Sequence, residues 1–242
     1  MDNEKLNVAL CDDPKSPVAE AYRAIRTNIR FTGVDKPPVQ TILITSALPD
    51  EGKSTIAVNL AVVLAKAGNK VLVVDGDMRN PTIHKLLNVE KDGLSNFICQ
   101  DELPYTDFVK HLEGQEVDYL TAGPVPPNPS ELLLSRRFVD TLTQMKEDYD
   151  FILIDTPPVI PVADAAGLSH YVDGVILVIE SDKNPPRILI DAKKRLVQAG
   201  ANILGAVLNK VKVEHNKRYG YGYGKGYGYG YYYAYGGDEE KN

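Results

Sequence analysis

Residues 41–56, TILITSALPDEGKSTI, constrain the fold of this chain more tightly than any other stretch. The β-branched apolar run Thr41 to Thr45 predicts a buried strand, and a turn rich in proline and acidic residues follows it. Gly52-Lys53-Ser54-Thr55 then opens a helical pattern through Ala57, Leu60, Val63 and Leu64, with Gly68 placed to stop it. Counting back from Lys53, the pattern G-x-x-x-x-G-K-[ST] is met except at its first position, which is Ala47.

The residue types in this loop fit an anion. Backbone N–H groups of the loop and of the first helical turn have no intrahelical acceptor, so they converge on a negative charge that the helix dipole also favours. The expected phosphate-binding set is Asp50, Glu51, Gly52, Lys53, Ser54 and Thr55. Gly52 lets the backbone approach closely, Lys53 is read as an exposed loop cation for the β- and γ-phosphates, and the Ser54 hydroxyl is read as a ligand of Mg²⁺. The plain alternative is an acidic, solvated turn that only caps a helix. Its position between a strand and a helix favours the nucleotide reading.

Further along, apolar runs alternate with helical patterns. Lys70 to Val74 ends in Asp75-Gly76-Asp77-Met78-Arg79, and Phe151 to Ile154 ends in Asp155-Thr156-Pro157-Pro158. Gly174 to Ile179 and Ile203 to Leu208 are the next apolar runs, the latter ending Asn209-Lys210. Residues 82–117 show short helical patterns, Tyr119-Leu120 opens a short strand, and helices are expected from Ser130 to Met145, from Asp164 to Tyr171 and up to Ala199. The order predicts an α/β fold: a doubly wound, mostly parallel sheet of P-loop NTPase type, with a disordered Tyr/Gly-rich C-terminal tail. Strands apolar throughout are buried on both faces, and ligands bind at their carboxyl edge. There Asp75, Asp77 and Asp155 join Lys53 and Ser54. Each carboxylate alone reads better as a helix cap or an exposed loop acid; together they supply the oxygen ligands that Mg²⁺ beside a phosphate requires. Asp155 is assigned as the metal carboxylate, direct or through water, and Asp77 as a second one that also orients or deprotonates an attacking hydroxyl.

Length and charge narrow the rest. At 242 residues the chain suits one domain, divided here as a lead-in over 1–15, the P-loop domain over 16–212 and a tail over 213–242. The net charge of −6 argues against non-specific nucleic-acid binding. No apolar run approaches the roughly 20 residues of a membrane span and the acidic N-terminus lacks a signal-peptide pattern, so a cytoplasmic protein is expected. Cys11 and Cys99 have neither metal-ligand nor redox spacing. Ser16-Pro17 starts a helix with Val18, Tyr22, Ile25 and Ile29 on one side. Glu20, Arg23 and Arg26 lie on the other, a strip read from spacing alone as a solvated face with internal pairs. The tail holds tyrosines at Tyr219, Tyr221, Tyr223, Tyr227, Tyr229, Tyr231, Tyr232, Tyr233 and Tyr235 among glycines, a composition that cannot form core. From Val211 to Tyr235 a Gly-rich coil spans roughly 25–30 Å r.m.s. and at most about 80 Å, enough to reach an adjacent subunit's nucleotide site.

The loop ALPDEGKST, the strand VLVVDGDMR, the strand FILIDTPP and the tyrosine-rich C-terminus together resemble a bacterial tyrosine kinase, specifically the free-standing cytoplasmic subunit of Gram-positive capsule and exopolysaccharide systems. The resemblance covers residues 16–242 and maps Walker A onto Gly52 to Thr55, Walker A′ onto Asp75 and Asp77, and Walker B onto Asp155. It implies catalytic roles for Lys53, Asp75 and Asp77, and autophosphorylation of the tail tyrosines by Mg-ATP between subunits of a ring homo-oligomer such as an octamer. It also implies a transmembrane activator that recruits the chain to the inner face of the membrane, a tyrosine phosphatase and protein substrates as partners. Glu20, Arg23 and Arg26 match the family's E-x-x-R-x-x-R oligomerisation motif, and Asn209 resembles the adenine-contacting Asn of related ATPases. The competing class is a deviant-Walker partitioning or division-site ATPase. That group usually carries a lysine early in the loop, and residues 47–51 contain none.

Overall fold

The computed structural model describes residues 15–32, 37–100 and 102–211. The tail tyrosines, Cys11 and most of the lead-in lie outside the described residues. The element order is α1 (Pro17–Phe31), β1 (Thr41–Ser46), α2 (Lys53–Ala65), β2 (Val71–Asp75), α3 (Ile83–Leu87), α4 (Leu94–Cys99), β3 (Lys110–His111), β4 (Val117–Leu120), α5 (Pro129–Leu133), α6 (Arg136–Asp148), β5 (Phe151–Asp155), α7 (Asp164–Leu168), β6 (Gly174–Glu180), α8 (Pro186–Gln198) and β7 (Ile203–Asn209). Single 3₁₀ turns stand at Tyr105–Asp107 and Ser169–Tyr171.

The strands form one seven-stranded sheet in the order β3-β4-β2-β5-β1-β6-β7. Every pairing is parallel except β3 with β4. Helices cover both faces, which is why the central strands are apolar at every position rather than at every second one. Ile42, Ile44, Val71, Val73 and Leu153 face a core shared with α1, α2 and α3. Leu43, Leu72, Val74, Ile152 and Ile154 face a second core, filled by Phe97 of α4, Phe138, Leu142 and Met145 of α6, and Leu196 of α8.

Helix α2 is buried from Ile56 through Ala65, because α1 covers the side that the sheet leaves free. Ser16 caps α1, accepting a hydrogen bond from the Ala19 amide at 3.1 Å, and Pro17 occupies the first turn. The packing seam runs through Ala19, Tyr22 and Ile29, with Ile25 partly buried against it. Val18, expected on that face, is 51% exposed: the small Ala19 takes the contact at the first turn instead. The antiparallel β3 is also unanticipated, being two exposed polar residues with no apolar period. Asp164 to Tyr171 divides into a short α-helix and a 3₁₀ turn. Among the described residues no helix is long and apolar enough to cross a membrane.

Candidate active site

β1, β2 and β5 deliver their carboxyl ends side by side, and Asp75 is the register partner of Asp155. The loop after β1 enters α2 through Gly52, whose φ of 91° is a left-handed conformation that side chains disfavour. A Cβ at this position would also collide with Asn209 Nδ2. Two independent constraints therefore require glycine here. Ala47, at the loop's first position, is fully buried in the second core and has no positive φ, so that position makes no demand for glycine.

Lys53 is not the exposed cation that the sequence suggests. It is 9% exposed, and its Nζ donates to Asp77 Oδ2 at 2.9 Å. Burial alone would lower its pKa, but attraction to Asp155, Asp77 and Asp75 outweighs the desolvation and raises it, so the ammonium stays charged. One residue on, the Ser54 hydroxyl donates to Asp155 Oδ2. Thr55 is exposed at the mouth of the helix.

Asp155 is fully buried, and its Oδ1 has no hydrogen-bond partner. Burial raises its pKa, against the pull of Lys53. A buried carboxylate oxygen without a donor is costly unless a cation or ordered water takes it. Asp75 is equally buried but engaged: Oδ1 accepts from the Asp77 amide at 3.2 Å, and Oδ2 accepts from the amides of Thr82 at 3.1 Å and Ile83 at 3.0 Å. It shapes the loop that presents Asp77. Burial and the adjacent Asp155 push its pKa upward. The Asp77 carboxylate also accepts from the Asn80 amide at 3.0 Å.

The chemistry of the donor set fits Mg²⁺. Among the described residues no three His, Cys, Asp or Glu side chains cluster as a self-sufficient metal cage. Mg²⁺ beside a nucleotide takes one or two carboxylates and completes its shell with phosphate and water. The Ser54 hydroxyl and the orphaned oxygen of Asp155 match that need.

The chain belongs to the bacterial tyrosine kinases. Residues 39–185 match the family described as an AAA domain. The tyrosine-protein kinase YwqD of Bacillus subtilis (strain 168) is 42% identical over 215 residues, covering 88% of this chain and 90% of that protein. Among solved structures, the kinase domain of the Escherichia coli tyrosine kinase ETK superposes with a TM-score of 0.83 at 34% identity, covering 92% of this chain and 87% of that one. The chimerical protein CapA2B2 superposes at 0.79 and 43% identity, covering 84% and 89%. The P-loop fold is a nucleotide-binding one, and the chain is a protein-tyrosine kinase.

Other predicted residues of the kinase occupy different places. The side chain of Glu51 turns beneath the loop and accepts from the amides of Ala47 at 2.9 Å and Leu48 at 3.3 Å, and from the side chain of Asn184. Burial raises its pKa. Asp50 is exposed with φ 62°. Asn209 Nδ2 donates to the Glu51 carbonyl at 2.9 Å. On α1, away from these strand ends, Arg23 pairs with Glu20 at 2.7 Å, and Arg26 reaches the Val63 carbonyl of α2 at 3.4 Å.

Two groups escaped sequence reading. Arg79 Nε lies 2.9 Å from Asp164 Oδ2 while its Nη2 donates to Ser130 Oγ at 2.7 Å, tying the Asp77 loop to α7 and α5. Arg79 stood two residues beyond Asp77, but Asp164 carried no local signal. Lys183, which donates to the Pro49 carbonyl at 3.1 Å, gave none either.

Proposed function

We propose that this kinase transfers the γ-phosphoryl group of ATP to the tyrosines of its own C-terminal cluster, Tyr219 to Tyr235, and does so between subunits of a ring. The observation that carries the site assignment is the Lys53–Asp77 ion pair beside the Ser54–Asp155 bond, at the N-terminus of a buried helix. Lys53 neutralises phosphate oxygens; Ser54, Asp155 and Asp77 hold Mg²⁺. When bound, the ion withdraws charge from the phosphate chain. Backbone N–H groups from residues 50 to 55 hold the phosphates, and Asp75 acts through Asp77 by fixing its loop.

The acceptor phenol is protonated at neutral pH, with a reference pKa of about 10. Asp77 orients it and takes the proton as the tyrosine oxygen bonds to phosphorus and the bond to the ADP oxygen breaks. Asn209 borders the base subsite. The kinase acts at the inner face of the membrane, recruited by a transmembrane activator, with a tyrosine phosphatase reversing the modification. In this reading it regulates capsular or exopolysaccharide synthesis and acts on further protein substrates. Glu20, Arg23 and Arg26 hold neighbouring subunits, for which the exposure of the Glu20–Arg23 pair is the supporting observation.

Mixing an inactive Lys53→Ala chain that keeps its tail with an active chain lacking residues 213–242 tests the trans route. Phosphotyrosine on the inactive chain is expected. Its absence in confirmed mixed assemblies would reject transfer between subunits.

A further inference from the structure

A loop that gathers its N–H groups around an anion must turn its carbonyls outward, and those carbonyls need donors of their own. Here three consecutive loop carbonyls each receive one side-chain donor from the ends of β6 and β7. Lys183 Nζ donates to Pro49 at 3.1 Å, Lys210 Nζ to Asp50 at 2.7 Å and Asn209 Nδ2 to Glu51 at 2.9 Å. Glu180 binds both lysines, at 2.9 Å to Lys183 and 3.1 Å to Lys210. Both ammonium groups hold its carboxyl below the usual range. Asp50, Asp182 and Lys210 have φ of 62°, 58° and 55°, conformations that persist only where the surroundings enforce them.

We infer that Glu180, Lys183 and Lys210 form a clamp of positioning residues that sets the phosphate loop in its anion-binding shape before a nucleotide arrives. Glu51 completes the arrangement from below by taking the amides of Ala47 and Leu48. The anion site is thereby confined to the second half of the loop and the first turn of α2. The donors are long, solvent-accessible lysines, so the carboxylate that joins them is what restricts their motion. Both lysines lie well beyond the loop in sequence and are brought to it by the parallel pairing of β6 with β1 and β7.

The competing account has the two ammonium groups simply attracting phosphate. Removing Glu180 separates the accounts, because it loosens both lysines while adding one unit of positive charge near the site. Attraction predicts tighter binding of nucleotide; the clamp predicts weaker binding. The measurement is titration of the full-length, unphosphorylated protein with a fluorescent ADP analogue and Mg²⁺, for the parent and Glu180→Ala, with Glu180→Gln as the milder change. The expected result is a Kd raised about five- to thirty-fold. Faster amide hydrogen exchange over residues 48–52 is expected in the nucleotide-free variant. A Kd unchanged or lowered in both variants overturns the clamp. The inference rests on the nucleotide-binding reading of the loop, and a parent that does not bind the probe strikes that reading instead. The exchange comparison without nucleotide then decides the clamp alone, and equal exchange rejects it.

Discussion

Lys53 Nζ lies 2.9 Å from Asp77 Oδ2, and both side chains are nearly buried. In the proposed mechanism, the cation assigned to phosphate is therefore held by the carboxylate assigned to the acceptor's proton; in the structure it also offsets Asp75 and Asp155.

Lys53→Ala should consequently do more than abolish phosphoryl transfer. It leaves three buried carboxylates without their shared cation, which either costs stability or forces proton uptake. A loss of about 1–3 kcal/mol is expected. Thermal unfolding of the nucleotide-free variant near pH 8 checks it, and the deficit should shrink in mild acid, where Asp75 and Asp155, both raised by burial, protonate. An unchanged melting temperature would mean that the lysine offsets nothing.

Gly52→Ala meets two separate obstacles, a φ of 91° and the side chain of Asn209. The conformational penalty alone is about 1 kcal/mol. Adding Asn209→Ala should recover the steric part and leave the conformational part, so melting temperatures of the single and double variants measure each. A Gly52→Ala chain as stable as the parent, with normal nucleotide affinity, would contradict the loop geometry.

Much of this architecture was legible along the chain. β1, β2, β5 and β6 announce themselves because burial on both faces makes them apolar without interruption, and Asp75 and Asp155 end β2 and β5 at the carboxyl edge of the sheet, where this class of fold places its ligands. Other features arise only from contacts between distant segments. The burial of Lys53 depends on Asp77, 24 residues away, and the donors to Pro49 and Asp50 come from beyond β6. β3 exists because β4 offers it an edge, not because Lys110 and His111 favour a strand.

Asp173 supplies a pH dependence remote from the nucleotide. One of its carboxylate oxygens accepts from the amides of Gln40 and Thr41 and from the Thr41 hydroxyl, and the other accepts from Lys146 at 2.8 Å. Burial opposes its ionisation, but these donors prevail and lower its pKa below the ordinary value. With the folded value depressed, the stabilisation is complete above the unfolded value of about 4 and is lost as pH falls through the folded one. Asp173→Asn should be less stable than the parent at pH 7, by about 1–3 kcal/mol. The difference should narrow below about pH 4; a difference constant from pH 7 to pH 3 would contradict this.

Replacing both Arg23 and Arg26 with Ala should lower the particle mass seen by light scattering. The fold should survive, because an exposed pair of the Glu20–Arg23 kind contributes only about 0.3–0.5 kcal/mol within one chain. An unchanged mass would return the strip to a solvated helix face.

Phosphorylation-site mapping by mass spectrometry tests the central claim most directly. After incubation with Mg-ATP, phosphate is expected on several tyrosines between Tyr219 and Tyr235 of the parent chain and on none of them in Lys53→Ala incubated alone. ATP consumption without phosphotyrosine, or equal labelling of the two chains, would contradict it.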